Sequence, residues 1–272
     1  MDRLAIEHQT VFGLPPVEFV HLAADVGCRY IAMALSGTPH NPHGYPAYSL
    51  RDDAGLRARM SAAMRERGVS ISLGEGFVVR PGTDLRDSGA DLDIMAQLGV
   101  PRVNTVSLDP DLGRSLDQFG VLAEMAALRG METTVEFAPS LTVKDLDAAV
   151  AAVRHVAREG FRLLVDVMHL VRSGHSAANL AALDPTLVGY VQLSDNTVRQ
   201  RGSTYREDSV DRMVPGRGEF PLTEILAALP RNVVIGLEVP MLSRAEAGES
   251  THERVRQCVR AARELLVTAG VG

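Results

Sequence analysis

Eight short apolar runs alternate with amphipathic stretches along the chain, and this alternation constrains the fold more than any other feature. The runs are RLAIEH (3–8), RYIAMAL (29–35), VSISLGE (69–75), RVNTVSL (102–108), METTVEF (131–137), FRLLVDV (161–167), VGYVQLS (188–194) and NVVIGLEV (232–239). They read as continuous apolar runs more than strict alternations, the pattern of parallel strands covered on both faces. Helical periodicity fills the gaps, over 15–27, 53–68, 84–99, 115–130, 142–160, 178–185, 221–230 and 250–270. Gly27, Gly68, Gly99, Gly130 and Gly160 each stand just past a periodic stretch, where a left-handed residue closes a helix. Pro15, Pro16 and Pro221 open helices, where the missing N–H costs little. Strand and helix alternating eight times predict an α/β chain folded as a (β/α)8 TIM barrel, one domain over 1–272. The runner-up, a doubly wound sheet, lacks its fingerprint: HQTVFGLPP, not GxGxxG, follows the first run.

Composition narrows the function. A net charge of −6 opposes a nucleic-acid partner held by phosphate neutralisation. No stretch approaches roughly 18 uninterrupted apolar residues, so no membrane span is expected. The start MDRLAIEHQT carries an acid and no long apolar region, which argues against a secretory signal and for a cytoplasmic location. Cys28 and Cys258 are far apart and form no metal-type pair. Lys144 is the only lysine, so a Schiff-base mechanism would have to use it. It lies in LTVKDLD at a helix start, where its ammonium should be solvated, and that route is rejected. A small-molecule substrate is expected, and a homo-oligomer stays open.

Barrel enzymes carry their functional groups at the C-terminal ends of strands. Those ends supply Glu136 in TTVEFAP, Asp166 in LLVDVMH, Gln192 in YVQLSDN and Glu238 in IGLEVP. Carboxylates ending apolar strands are costly unless paired or metal-bound, and three that converge repel one another. A divalent cation is the simplest remedy. Three carboxylates and an amide oxygen form a hard donor set, which favours Mn²⁺ or Mg²⁺, with Co²⁺ a further candidate, over zinc.

The order EFAP, VDVMH, VQLSD, PGRGEF, LEVP resembles the sugar phosphate isomerase/epimerase family of xylose isomerase-like TIM barrels. That family includes ketose 3-epimerases, inosose dehydratases, hydroxypyruvate isomerases and 3-dehydroshikimate dehydratases. The resemblance implies a metal on Glu136, Asp166 and Glu238, with Gln192 where the family usually has histidine. Glutamine at that position is similar to the dehydroshikimate dehydratase branch. That branch tends to use a histidine after the third strand, and none stands between His43 and His155.

By the same resemblance, the implied activity is that of an isomerase, epimerase or dehydratase (a lyase) of carbohydrate metabolism. Glu136 and Glu238 would be the acid/base pair that moves a proton next to a carbonyl, through a metal-stabilised enediolate. His169, in D-x-x-H, would reach the substrate as donor or proton shuttle, and Arg212, before the PGRG turn, would bind a substrate oxygen or acid group. His8 ends the first run and would face the barrel mouth, and Glu75, after the third strand, could be another acid/base group. The loops 36–50 and 196–214 would set specificity. Two other classes stand against this reading. One is a non-catalytic or metal-free barrel partner subunit, motivated by Gln192. The other is an AP-endonuclease-like phosphodiesterase, opposed by the charge and by the scarcity of histidines near the acids.

Overall fold

A computed structural model describes residues 3–272. The predicted strands form a closed parallel barrel in chain order: β1 (Leu4–Ile6), β2 (Tyr30–Ala34), β3 (Ser70–Val79), β4 (Arg102–Ser107), β5 (Glu132–Glu136), β6 (Phe161–Asp166), β7 (Val188–Leu193) and β8 (Ile235–Leu237). The last strand closes on the first through Leu4↔Ile235, Ala5↔Gly236 and Ile6↔Leu237.

Local chemistry explains the helices. Pro16 opens α1 (Pro16–Asp25). Asp53 caps α2 (Ala54–Arg67) by accepting from the Leu56 N–H, and Gly68, at φ 65°, ends it in the left-handed region. A 3₁₀ turn over 85–88 leads into α3 (Gly89–Gln97). Asp111 and Asp145 cap α4 (Leu112–Ala127) and α5 (Leu146–Val156), so the predicted helix starts at 115 and 142 shift to the residues after these acids. The apolar faces of these helices and the outer barrel residues form one continuous core. The barrel interior holds a small separate cluster of Ala32, Leu73, Leu164 and Tyr190.

Three short helices had no sequence counterpart, all on the C-terminal side of strands. They are α6 (Val167–Arg172), α8 (Tyr205–Val210) and α10 (Leu242–Glu246). The expected helices after them are α7 (Ala177–Ala181), α9 (Leu222–Ala228) and α11 (Thr251–Thr268). The third strand also runs four residues past its predicted end, to Val79, so Glu75 lies inside it. Its pairing with β4 shifts between Gly74 and Phe77, and Gly76 takes φ 111° there. That is a β-bulge at Glu75–Gly76, which re-aims a side chain at the barrel mouth. Among the described residues, no helix is long and apolar enough to cross a membrane.

Candidate active site

A cavity of about 520 Å³ opens at the C-terminal ends of the strands. Its lining includes His8, Glu75, Glu136, His169, Tyr205 and Glu238. A larger crevice, about 760 Å³, lies away from the barrel axis, against α11. The strand ends and their acids converge on the smaller one, which is where barrel chemistry is expected.

Glu136 ends β5, and its Oε2 accepts a 2.7 Å hydrogen bond from Asn104 Nδ2 on β4. Asp166 ends β6 and is fully buried. One of its oxygens caps α6, accepting from the N–H groups of Met168 (2.7 Å) and His169 (3.2 Å). Because α6 starts at once after β6, the D-x-x-H spacing turns His169 back over Asp166. Its Nε2 lies 3.4 Å from Glu136 Oε1 and 3.8 Å from Asp166 Oδ2. Atoms of Glu136, Asp166 and His169 all fall within 4.8 Å of one another, a group that could hold a metal ion.

Arg212 approaches the same acids from behind. It is buried, with Nη1 2.6 Å from Asp166 Oδ2 and Nη2 2.8 Å from Glu238 Oε2. Its side chain therefore spans two carboxylates, and it is not part of the cavity lining. Burial alone would raise the Asp166 pKa, but Arg212 and His169 outweigh it and hold the carboxyl well below its ordinary range. Glu238 shares the guanidinium and goes the other way. Burial, joined by repulsion from Asp166, Glu136 and Glu75, pushes it well up despite Arg212. Arg212 itself is raised, because its two carboxylates outweigh the cost of burying it.

Gln192 reaches the opposite side. Its Nε2 lies 3.3 Å from Glu7 Oε2, 3.3 Å from Glu75 Oε1 and 3.5 Å from Glu238 Oε1. In this orientation the amide nitrogen donates to these oxygens. Its Oε1 is left buried without a hydrogen-bond partner. Glu75 is driven well above its usual pKa by burial and by Glu7 and Glu136.

Glu7 is the group that sequence reasoning missed. It is fully buried, and Tyr190 Oη donates to its Oε1 at 2.8 Å. Burial and the nearby Glu238 push its pKa up to about 8. The carboxyl packs over Gly236 of β8, where an added Cβ would overlap Glu7 Oε1. The signal was available: Glu7 is an acid inside the first apolar run, beside the His8 that did draw notice. His8 itself is buried in the lining with Nε2 2.9 Å from the Tyr48 hydroxyl, and burial lowers its pKa to about 4.

Residues 20–265 match the model of the xylose isomerase-like TIM barrel family. The chain belongs to that family. Comparison with curated proteins gives no match. Solved structures similar to this xylose isomerase-like barrel include an IolI protein with a bound zinc atom, at TM-score 0.80 and 17% identity, covering 97% of this chain and 98% of that one. A xylose isomerase domain protein from Alicyclobacillus acidocaldarius subsp. acidocaldarius follows at TM-score 0.76 and 20% identity, with 98% and 99% covered. A D-psicose 3-epimerase in the presence of D-fructose gives TM-score 0.74 and 14% identity, with 99% and 100% covered. At these identities the likeness concerns the fold.

Proposed function

We propose that the chain, as one domain over 1–272, is a divalent-metal-dependent isomerase or epimerase of hydroxy-ketones, with dehydration as the variant outcome of the same chemistry. The carrying observation is the convergence of Glu136, Asp166 and His169 within 4.8 Å at the floor of the barrel-mouth cavity. The donor set suits a cation. Glu136, Asp166 and Glu238 supply carboxylate oxygens, and the unpartnered Gln192 Oε1 is a buried acceptor that a cation would satisfy. These four residues would hold the metal, and the oxygen-rich set favours Mn²⁺ or Mg²⁺. When bound, the cation supplies electrostatic stabilisation of charge developing on a carbonyl oxygen.

The chain's own residues then divide the work. Glu136, fixed by Asn104 through Oε2, would take a proton next to the carbonyl on Oε1, which lies 3.4 Å from His169 Nε2. Glu238 would return it from the other side of the site. Which carbon or face receives the proton separates isomerisation from epimerisation, and loss of a neighbouring hydroxyl gives dehydration. Arg212 keeps Asp166 ionised and Glu238 in place. The cavity admits a small molecule, and the −6 charge opposes a nucleic-acid substrate.

The test is metal analysis of the purified chain after loading with Mn²⁺, Mg²⁺ or Co²⁺, then a screen over ketoses, inososes and dehydroshikimate. Stoichiometric metal and turnover that both fall in Glu136→Gln and Glu238→Gln are expected. Variants that bind metal and turn over like wild type would remove these two residues from their roles.

One observation favours a second reading. Arg212 already places a cation between Asp166 and Glu238, as a metal-free barrel would require. A folded chain that takes up no metal at any loading would select it.

A further inference from the structure

The cavity wall formed by α8 carries a charge that the chemistry above leaves unused. Tyr205, Arg206, Ser209 and Val210 all line the cavity, and their spacing puts them on one face of the helix. That face begins against the acid cluster, since the Tyr205 hydroxyl lies 2.6 Å from His169 Nδ1. The other side of α8 is anchored. Asp208 is buried, pairs at 2.6 Å with Arg172 of α6, and accepts from the backbone N–H groups of Arg201 (2.9 Å) and Gly202 (2.8 Å). Arg206 therefore stands on a fixed helix, one residue from the tyrosine that touches His169.

The segment 196–214 holds four arginines, Arg199, Arg201, Arg206 and Arg212. Arg212, to which the family resemblance gives a substrate oxygen or acid group, is engaged by Asp166 and Glu238 outside the lining. Arg201 donates to Asn196 Oδ1 at 3.1 Å and to Asp211 O at 2.7 Å, and Arg199 is also outside the lining. Of the four, Arg206 is the one that lines the cavity. Among the described residues its guanidinium has no ion pair or hydrogen bond, although Glu75, Glu136 and Glu238 share the lining. Its five N–H donors are open to a ligand.

We propose that Arg206 determines specificity by binding a carboxylate of the substrate, so that the substrate class is an acidic hydroxy-ketone. This rests on the reading of the cavity as a hydroxy-ketone site. A guanidinium fork matches a carboxylate in a bidentate pair. One guanidinium balances one negative charge. A phosphate dianion would bring a second charge into a lining that already holds three glutamates, which favours the carboxylate. The other arginine of the lining, Arg80, follows β3, whereas α8 follows β7. Those strands are four apart in a ring of eight, so the two arginines rise from opposite sides of the mouth. Arg80 thus supplies a cation at the same cavity without the place beside His169.

The experiment is calorimetric titration of the full chain, with and without Mn²⁺, using matched acid and neutral hydroxy-ketones. The pairs are 3-dehydroshikimate against its methyl ester and 5-keto-D-gluconate against L-sorbose. In wild type at least one acid should bind about tenfold or more tightly than its neutral partner, the scale of a hydrogen bond to a charged group. Arg206→Ala, a change at an exposed side chain, should abolish that ratio. Arg206→Lys should restore part of it, and Arg80→Ala should keep it. The proposal is overturned if no acid outbinds its neutral partner, if the ratio survives Arg206→Ala, or if Arg80→Ala removes it equally. A larger Arg206-dependent preference for D-fructose 6-phosphate over D-fructose would overturn the carboxylate assignment. Acid preference through Arg206 in a chain that turns nothing over leaves this assignment standing and removes the isomerase reading. Turnover of neutral ketoses with no acid preference does the reverse.

Discussion

Two arcs of the barrel mouth carry the same residue types and treat them in opposite ways. On the β5–β6 arc each carboxylate has donors of its own. Asn104 serves Glu136, while two backbone N–H groups and Arg212 serve Asp166. On the β8–β1–β3 arc, Glu238, Glu7 and Glu75 crowd around one amide, Gln192 Nε2, with Arg212 reaching Glu238 and Tyr190 donating to Glu7. The first arc holds Asp166 ionised, whereas the second raises all three of its acids. Burial is common to Asp166 and these three acids; cationic neighbours outweigh it at Asp166, whereas repulsion among the crowded acids adds to it on the second arc.

Breaking the donor-rich arc should cost most. Asp166→Ala leaves the buried Arg212 with Glu238 as its one carboxylate partner and removes the α6 cap. The expected loss is about 3–5 kcal/mol in urea unfolding, the scale for removing one partner of a buried pair. A loss under about 1 kcal/mol would mean that Arg212 finds water, and that the arcs differ less than proposed.

The donor-poor arc makes a prediction with a definite sign. Glu7 has a folded pKa of about 8 against an ordinary carboxyl value near 4.5. Between those values the native state holds a proton that the unfolded chain has lost, so stability falls as pH rises from 4.5 to 8 and levels off above. One proton gives a slope of at most about 1.4 kcal/mol per pH unit. Glu7→Gln cannot ionise, and its urea midpoint should decline less across the window. Parallel curves for the two proteins would show that Glu7 is ionised in the native state.

Smaller effects sharpen the contrast. Gly236→Ala pushes a methyl into the seat of Glu7 and should cost about 1–3 kcal/mol as overpacking. In the Glu7→Ala background the same change should cost much less, and additivity would refute the contact. Tyr190→Phe removes the hydroxyl that donates to Glu7 and should cost about 1 kcal/mol.

The sequence made the architecture readable because burial on both strand faces and helix punctuation are local properties. All eight strands fell where the apolar runs lie, and Asp53 and Gly68 bound α2 as capping rules require. Positions off by a few residues trace to caps such as Asp145, whose side chain takes the Ala148 N–H and starts α5 there. The strand-end acids were legible for the same reason. Their partners were not. That Arg212 spans Asp166 and Glu238, or that Gln192 turns its nitrogen toward three acids, depends on residues brought together only by barrel closure. Helix α8, which delivers Tyr205, lies in an arginine-rich segment whose composition resembles a solvated loop. The burial of Glu7 was not legible for the same reason, since its partners Tyr190, Gln192 and Gly236 lie on the last two strands.

Closure has a consequence in time as well as in space. The seat of Glu7 is assembled from Tyr190 and Gln192 on β7 and Gly236 on β8, and the adjacent Thr10 hydroxyl bonds to Leu237 O across 227 residues of chain. During synthesis from the N-terminus, an acid destined for burial must wait in water until nearly the whole polypeptide has emerged. The floor of the candidate site is therefore among the last parts to form, and a chain truncated before β8 would lack both the wall over Glu7 and the third cavity glutamate, Glu238.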